Sequence, residues 1–164
     1  DQRFASRRND VICFSTPSLT EALTLCGPIE IDLSTSISTT DADYIVKLID
    51  VFPDEDSKQA GYEMLVRGDI MRGRYRNSFT KPEPFVPNKM ARVRFSLADV
   101  AHTFPKGHRI MVQIQSSWFP LADRNPQQFV NIYRCRPGDF VPTTVRIFHD
   151  ATHASKLILP VLRP

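Results

Sequence analysis

One tryptophan, six glycines and three cysteines are all that 164 residues hold of these types, and each scarcity closes off a class of protein. None of the glycines (Gly27, Gly61, Gly68, Gly73, Gly107, Gly138) begins a Gly-x-Ser-x-Gly elbow. The chain therefore lacks the strained strand-to-helix turn on which an α/β-hydrolase mounts its serine. Cys13, Cys26 and Cys135 are an odd number and cannot all pair within the chain; all three are expected to be reduced and buried. There is no Cys-x-x-Cys and no His-Glu-x-x-His, the spacings that gather zinc ligands, and neither a metal nor a cofactor is expected. No apolar run is long enough to cross a bilayer. Charge of one sign is lacking too: 21 basic against 18 acidic residues leave +3, too mild to argue for nucleic acid or a membrane surface. No internal repeat, heptad or leader-like segment is present, and a start on Asp1-Gln2-Arg3 reads as a piece of a longer protein.

What is present reads as strands. In His108–Asn125 the first half has Ile110, Val112 and Ile114 alternating with Arg109, Met111, Gln113 and Gln115, a period of two that lays three β-branched residues on one face. Its second half leaves the sheet at Trp118-Phe119-Pro120 and turns at Asp123-Arg124-Asn125-Pro126. Further strands are expected at Val11–Phe14, Ala22–Cys26 and Ile29–Leu33, where Gly27-Pro28 marks a bulge or an edge. Tyr44–Phe52 is apolar on both faces and so central. Tyr62–Met71 follows a polar loop, with Arg72, Arg74 and Arg76 continuing extended. Ser78–Lys89 carries three prolines and must be an irregular crossing. Val93 and Phe95 mark a strand, Leu97–Ala101 a helical turn capped by Ser96, and Thr144–His149 and Leu157–Leu162 the last two strands. Gln127–Asp139 stays unassigned. Eight or more short strands with turn signals between them imply one all-β sandwich over residues 1–164, and the long crossing favours Greek-key, jelly-roll connections over simple hairpins.

Candidate chemistry is sparse. Ser116 and Ser117 have no base marked for them. His149 and His153 flank Asp150 at a metal-like spacing but read as a strand end and a loop. Asp41 and Asp43 are an Asp-x-Asp pair without the glycine and distal glutamate of a calcium loop, and read as a solvated turn. Arg67, Arg72, Arg74 and Arg76 read as one solvated or interface face rather than a phosphate site. The Trp118-Phe119-Pro120 stretch has two open readings: an aromatic plug in the sandwich's own core, or a docking surface backed by Asp123, Arg124 and Asn125.

Several motifs carry a resemblance: Asp1-Gln2-Arg3, Thr40-Asp41-Ala42-Asp43-Tyr44, Val46-Lys47-Leu48-Ile49-Asp50-Val51, Met71-Arg72-Gly73-Arg74-Tyr75-Arg76, Lys106-Gly107-His108-Arg109-Ile110, and Ser117-Trp118-Phe119-Pro120 with Asp123-Arg124-Asn125-Pro126. By these the chain resembles, over essentially its whole length, the C-terminal non-catalytic domain of the X-Pro dipeptidyl peptidase and cocaine esterase family, most of all its α-amino acid ester hydrolases and glutaryl-7-aminocephalosporanic acid acylases. The resemblance implies a galactose-binding-like jelly roll that follows an α/β-hydrolase domain in the same polypeptide, packs on it and walls its substrate cleft. No triad position carries over to this chain, so no catalysis of its own is expected, and a fragment is expected to self-associate. The family also favours export from a bacterial cell. A free-standing carbohydrate- or ligand-binding module is the alternative, resting on fold analogy alone.

Overall fold

The computed structural model describes residues 1–56 and 58–163. Among the described residues eight strands form two antiparallel sheets. The first holds β1 (Ile12–Ser15), β3 (Asp43–Val51), β4 (Glu63–Arg72) and β6 (Arg109–Gln115) in the order β1-β6-β3-β4. The second is built around β2 (Leu23–Ile37), with β5 (Ala91–Phe104) on one side and β7 (Val145–Phe148) and β8 (Lys156–Ile158) following one another along the other. Of the neighbouring pairs, only β3–β4 is consecutive in sequence. The connections from β1 to β2, β2 to β3, β4 to β5, β5 to β6 and β6 to β7 each pass from one sheet to the other, the proline-rich segment making the β4–β5 crossing, while β7 to β8 stays within the second sheet. A one-turn helix, α1 (Arg3–Ser6), precedes the sheets.

Period two builds the core. Leu25, Ile29, Ile31, Leu33 and Ile37 of β2 meet Tyr44, Val46 and Leu48 of β3 and Ile110 and Ile114 of β6, with Val93, Leu97, Val100 and Phe104 of β5 extending the same cluster. Each fully buried aliphatic side chain of this kind is worth about 1.5–3 kcal/mol. Ser34–Thr40, a Ser/Thr-rich run that reads from the sequence as a loop or a strand end, divides: Ser34 to Ile37 continue β2 and are wholly buried. Its hydroxyls find partners: Thr35 Oγ1 donates to the Arg146 carbonyl at 2.8 Å and lies 3.1 Å from the Tyr44 hydroxyl.

Three expectations are corrected. Leu97–Ala101 is not helical; it lies in the middle of β5. Gly27 pairs with Val100 and Ile29 with Leu97, so Ala98 and Asp99 together face Pro28 alone. That bulge flips the parity of β5, and its buried residues fall at 93, 97, 100 and 104, a spacing that imitates a helix. Arg72–Arg76 does not continue extended either. A 3-10 turn follows at Gly73–Tyr75, where the Gly73 amide donates to the Ala42 carbonyl at 2.8 Å. A Cβ on Gly73 would sit 2.5 Å from that carbonyl oxygen and 2.6 Å from the Phe85 ring, so only glycine lets the chain close there. Finally, Cys13 and Cys26 are exposed and Cys135 half-buried, all three free; Cys26 follows the inward Leu25 and so points outward.

Candidate functional site

Both faces of β3 are covered. Tyr44, Val46 and Leu48 face the second sheet, while Ile45, Lys47 and Ile49, also fully buried, lie outside that cluster on the outer face. The cover there comes from the amino-terminal strap, residues 1–10, and from the segment after β6. Gln2 is buried; its amide donates to the Glu63 carbonyl at 2.8 Å, and its side-chain oxygen accepts from Lys47 Nζ at 2.9 Å. From the other side Gln115 Oε1 accepts from the same amine at 3.3 Å, and its Nε2 donates to the Ser117 carbonyl at 2.6 Å, drawing the chain off the sheet.

Trp118 then folds back over this layer. Its ring centroid lies 4.7 Å from Lys47 Nζ, a cation–π distance. A Cβ on Gly68 would come within 3.1 Å of its indole, so the glycine in β4 makes the seat. Trp118 is half-buried and stands outside the inter-sheet cluster; it does not plug the sandwich. Phe119 and Leu121 are 66% and 71% exposed. Pro120 is exposed as well.

The turn that follows is anchored from below. Asn125 is buried; its Nδ2 donates to Asp41 Oδ2 at 3.0 Å and to Asp43 Oδ1 at 2.8 Å, and its Oδ1 accepts the Gln127 amide at 2.8 Å. Asp41 also pairs with Arg74 at 2.6 Å and Asp43 with Arg72 at 3.4 Å. The Asp-x-Asp expected in a solvated turn is thus a fully buried ion-pair cluster. Burial pushes the Asp43 carboxyl up to about 6, against the downward pull of Asn125 and Arg72. Of the four arginines only Arg67 is exposed, so they do not form one solvated face. Arg74 is buried and donates to the carbonyls of Gln128 and Val130. Arg76 donates to those of Gly73, Glu83 and Pro84 and stacks 4.0 Å from the Phe85 ring. Arg67 donates to the Asp99 carbonyl.

Of the six residues marked as an interface, Trp118, Phe119, Pro120, Arg124 and Asn125 line one groove of about 1190 Å³, together with Phe4, Leu121 and Phe140. Asp123 is exposed and outside that lining; its carbonyl accepts from Arg72 at 3.3 Å. Arg124 lies 5.2 Å from the Phe140 ring centroid. Ser116 and Ser117 line the same groove. His149 and His153 are separate: His153 Nδ1 bonds Asp150 at 3.0 Å, while His149 meets the edge of Phe14. Among the described residues no group of three His, Cys, Asp or Glu is placed to hold a metal ion.

Two buried charges on β3 were not singled out in the sequence. Lys47 is one. Asp50 is the other, and it accepts from His102 at 2.9 Å and His108 at 2.7 Å. The signal was there: a Lys and an Asp inside the otherwise apolar Tyr44–Phe52 run, where a charge needs a built partner.

The fold is an antiparallel two-sheet β-sandwich domain with an aromatic-lined groove that runs from the strap and the Trp118 loop to Tyr44 and Ile114 of the first sheet and Val145 and Ile147 of the second. The chain belongs to the X-Pro dipeptidyl-peptidase C-terminal non-catalytic domain family, whose model matches residues 2–158. It is 34% identical over 163 residues to a cocaine esterase of Rhodococcus sp.. Among solved structures it is similar to an α-amino acid ester hydrolase (46% identity, TM-score 0.96) and to an aminopeptidase from a marine sediment Thaumarchaeota archaeon (43%, 0.95). Each comparison covers 99% of this chain but only 27% of the other protein. The chain thus corresponds to about a quarter of these larger hydrolases.

Proposed function

We propose that this domain docks on the α/β-hydrolase catalytic domain of a larger serine hydrolase, in the same polypeptide, and helps wall its substrate cleft, the parent acting on esters or amides of small acyl groups. The docking face is the groove framed by Trp118, Phe119, Pro120, Arg124 and Asn125, with Asp123 at its margin. One observation carries the reading: Phe119 and Leu121 stand two-thirds bare at the rim of a groove of about 1190 Å³, on a turn held rigid from beneath by Asn125. Contiguous apolar surface rimmed by polar groups, on a frame built not to move, is what a docked partner requires. The share of the relatives' length that this chain occupies supports a partner in cis.

The test separates the two pieces. The catalytic part of the parent and this chain are expressed as two polypeptides and their association measured by calorimetry. Phe119→Asp with Leu121→Asp is expected to abolish association while leaving the unfolding free energy of this domain, from urea melts, within about 0.5 kcal/mol of wild type, as for exposed positions. Undiminished association of the double variant overturns the reading.

A further inference from the structure

Lys47 is fully buried on β3, and its hydrogen-bond partners are neutral: the side-chain oxygens of Gln2 at 2.9 Å and Gln115 at 3.3 Å. The indole of Trp118 covers it at 4.7 Å and the Phe4 ring lies 5.9 Å away. Among the described residues no carboxylate pairs with it. Charged groups around it are engaged elsewhere: Arg8 pairs with Asp10, Arg3 with Asp1, and Glu63 accepts from Ser6 and Gln113. An ammonium held this way is costly to bury, and a methionine would fill the same space. The amine nevertheless joins the three parts of the docking face, since Gln2 belongs to the strap, Gln115 to the end of β6, and Trp118 to the loop.

We infer that Lys47 is the positioning residue of this face: its protonated amine holds the strap and the Trp118 loop in one arrangement, and loss of that proton releases them and weakens docking. This rests on the docking reading for its last clause only. The chemistry is direct. An ammonium presents three N–H donors and a full charge; two donors meet the amide oxygens of Gln2 and Gln115, and the charge faces the π-cloud of Trp118. The neutral amine keeps two donors but turns a lone pair on the indole face, and its bonds to the amides lose their charge assistance. Burial, with Arg8 adding to it, brings the Lys47 pKa down to about 8, which places the transition within reach of mild alkali.

Trp118 is the only tryptophan, so its emission reads this contact without labels. The 164-residue chain is titrated from pH 6 to pH 10 with excitation at 295 nm and iodide as quencher. The expected result is a step in emission and at least a twofold rise in quenching, centred near pH 8. Lys47→Met is expected to show no step and to quench at the alkaline level throughout. A flat wild-type titration overturns the inference even if the variant fails to fold, and so does a step that persists in Lys47→Met. In the two-piece association assay, wild type is expected to bind several-fold more weakly at pH 9 than at pH 7. Equal binding at both, with the fluorescence step present, breaks the link to docking; loss of binding in Phe119→Asp would in that case still uphold the docking reading.

Discussion

Asp43 shows how much a single buried carboxyl sets at the residue scale. Its side chain accepts from Asn125 and faces Arg72, yet burial dominates and carries its pKa from an ordinary 3.8 to about 6. The folded state therefore binds this proton more tightly than the unfolded chain. Stability from this group is fully present below about pH 4 and is lost as pH rises through about 6, by on the order of 2–3 kcal/mol. Asp43→Asn keeps an acceptor for Asn125 and removes the titration. The difference in unfolding free energy between variant and wild type should grow across that window and stay level above it, as urea melts at a series of pH values will read. A second residue-scale prediction concerns Gly73. With the Ala42 carbonyl and the Phe85 ring at 2.5 and 2.6 Å from where a Cβ would stand, Gly73→Ala is overpacked and should cost about 1–3 kcal/mol in the same assay.

At the scale of the element, legibility tracked how local the deciding contacts are. β6 was readable because its alternation is unbroken, and β3 because its run is apolar on both faces; the two pair with each other in register from Ile45 to Val51. β5 was misread at Leu97–Ala101 because its bulge is set against Gly27–Pro28, about 70 residues away; Gly27-Pro28 marks an irregularity in β2, but nothing within β5 itself announces the matching one. The strand assignment has a direct check. Leu97 is a core residue on β5, so Leu97→Ala should lose about 2–5 kcal/mol; the neighbouring exposed Ala98 should tolerate serine within about 0.5 kcal/mol. The candidate site was legible in part for the same reason. Trp118, Phe119 and Pro120 stand out as an apolar break after the best strand. That Asn125 is buried, and that Asp41 and Asp43 are its partners, depends on contacts spanning more than 80 residues. The cover that the strap lays over Lys47 has the same long-range origin, joining residues 2 and 47.

For the whole molecule, two sheets sharing one continuous core should unfold together. Urea melting of the chain is expected to give one cooperative transition; two resolved transitions would separate the sheets. With Phe4, Phe119 and Leu121 bare, the chain alone should self-associate at high concentration, and Phe119→Asp should suppress this in sedimentation equilibrium. No turnover of a p-nitrophenyl ester is expected from it, because no Gly-x-Ser-x-Gly elbow presents Ser116 or Ser117 as a nucleophile. The docking account is tested most directly by hydrogen–deuterium exchange, comparing the chain alone with the same residues inside the full-length parent. The account predicts that protection gained in the parent concentrates in Phe4–Asp10, Trp118–Asn125 and the segment around Phe140, with the β2–β5 side of the sandwich unchanged. Exchange in Trp118–Asn125 that is the same in both, or protection gained only along β2 and β5, would contradict it.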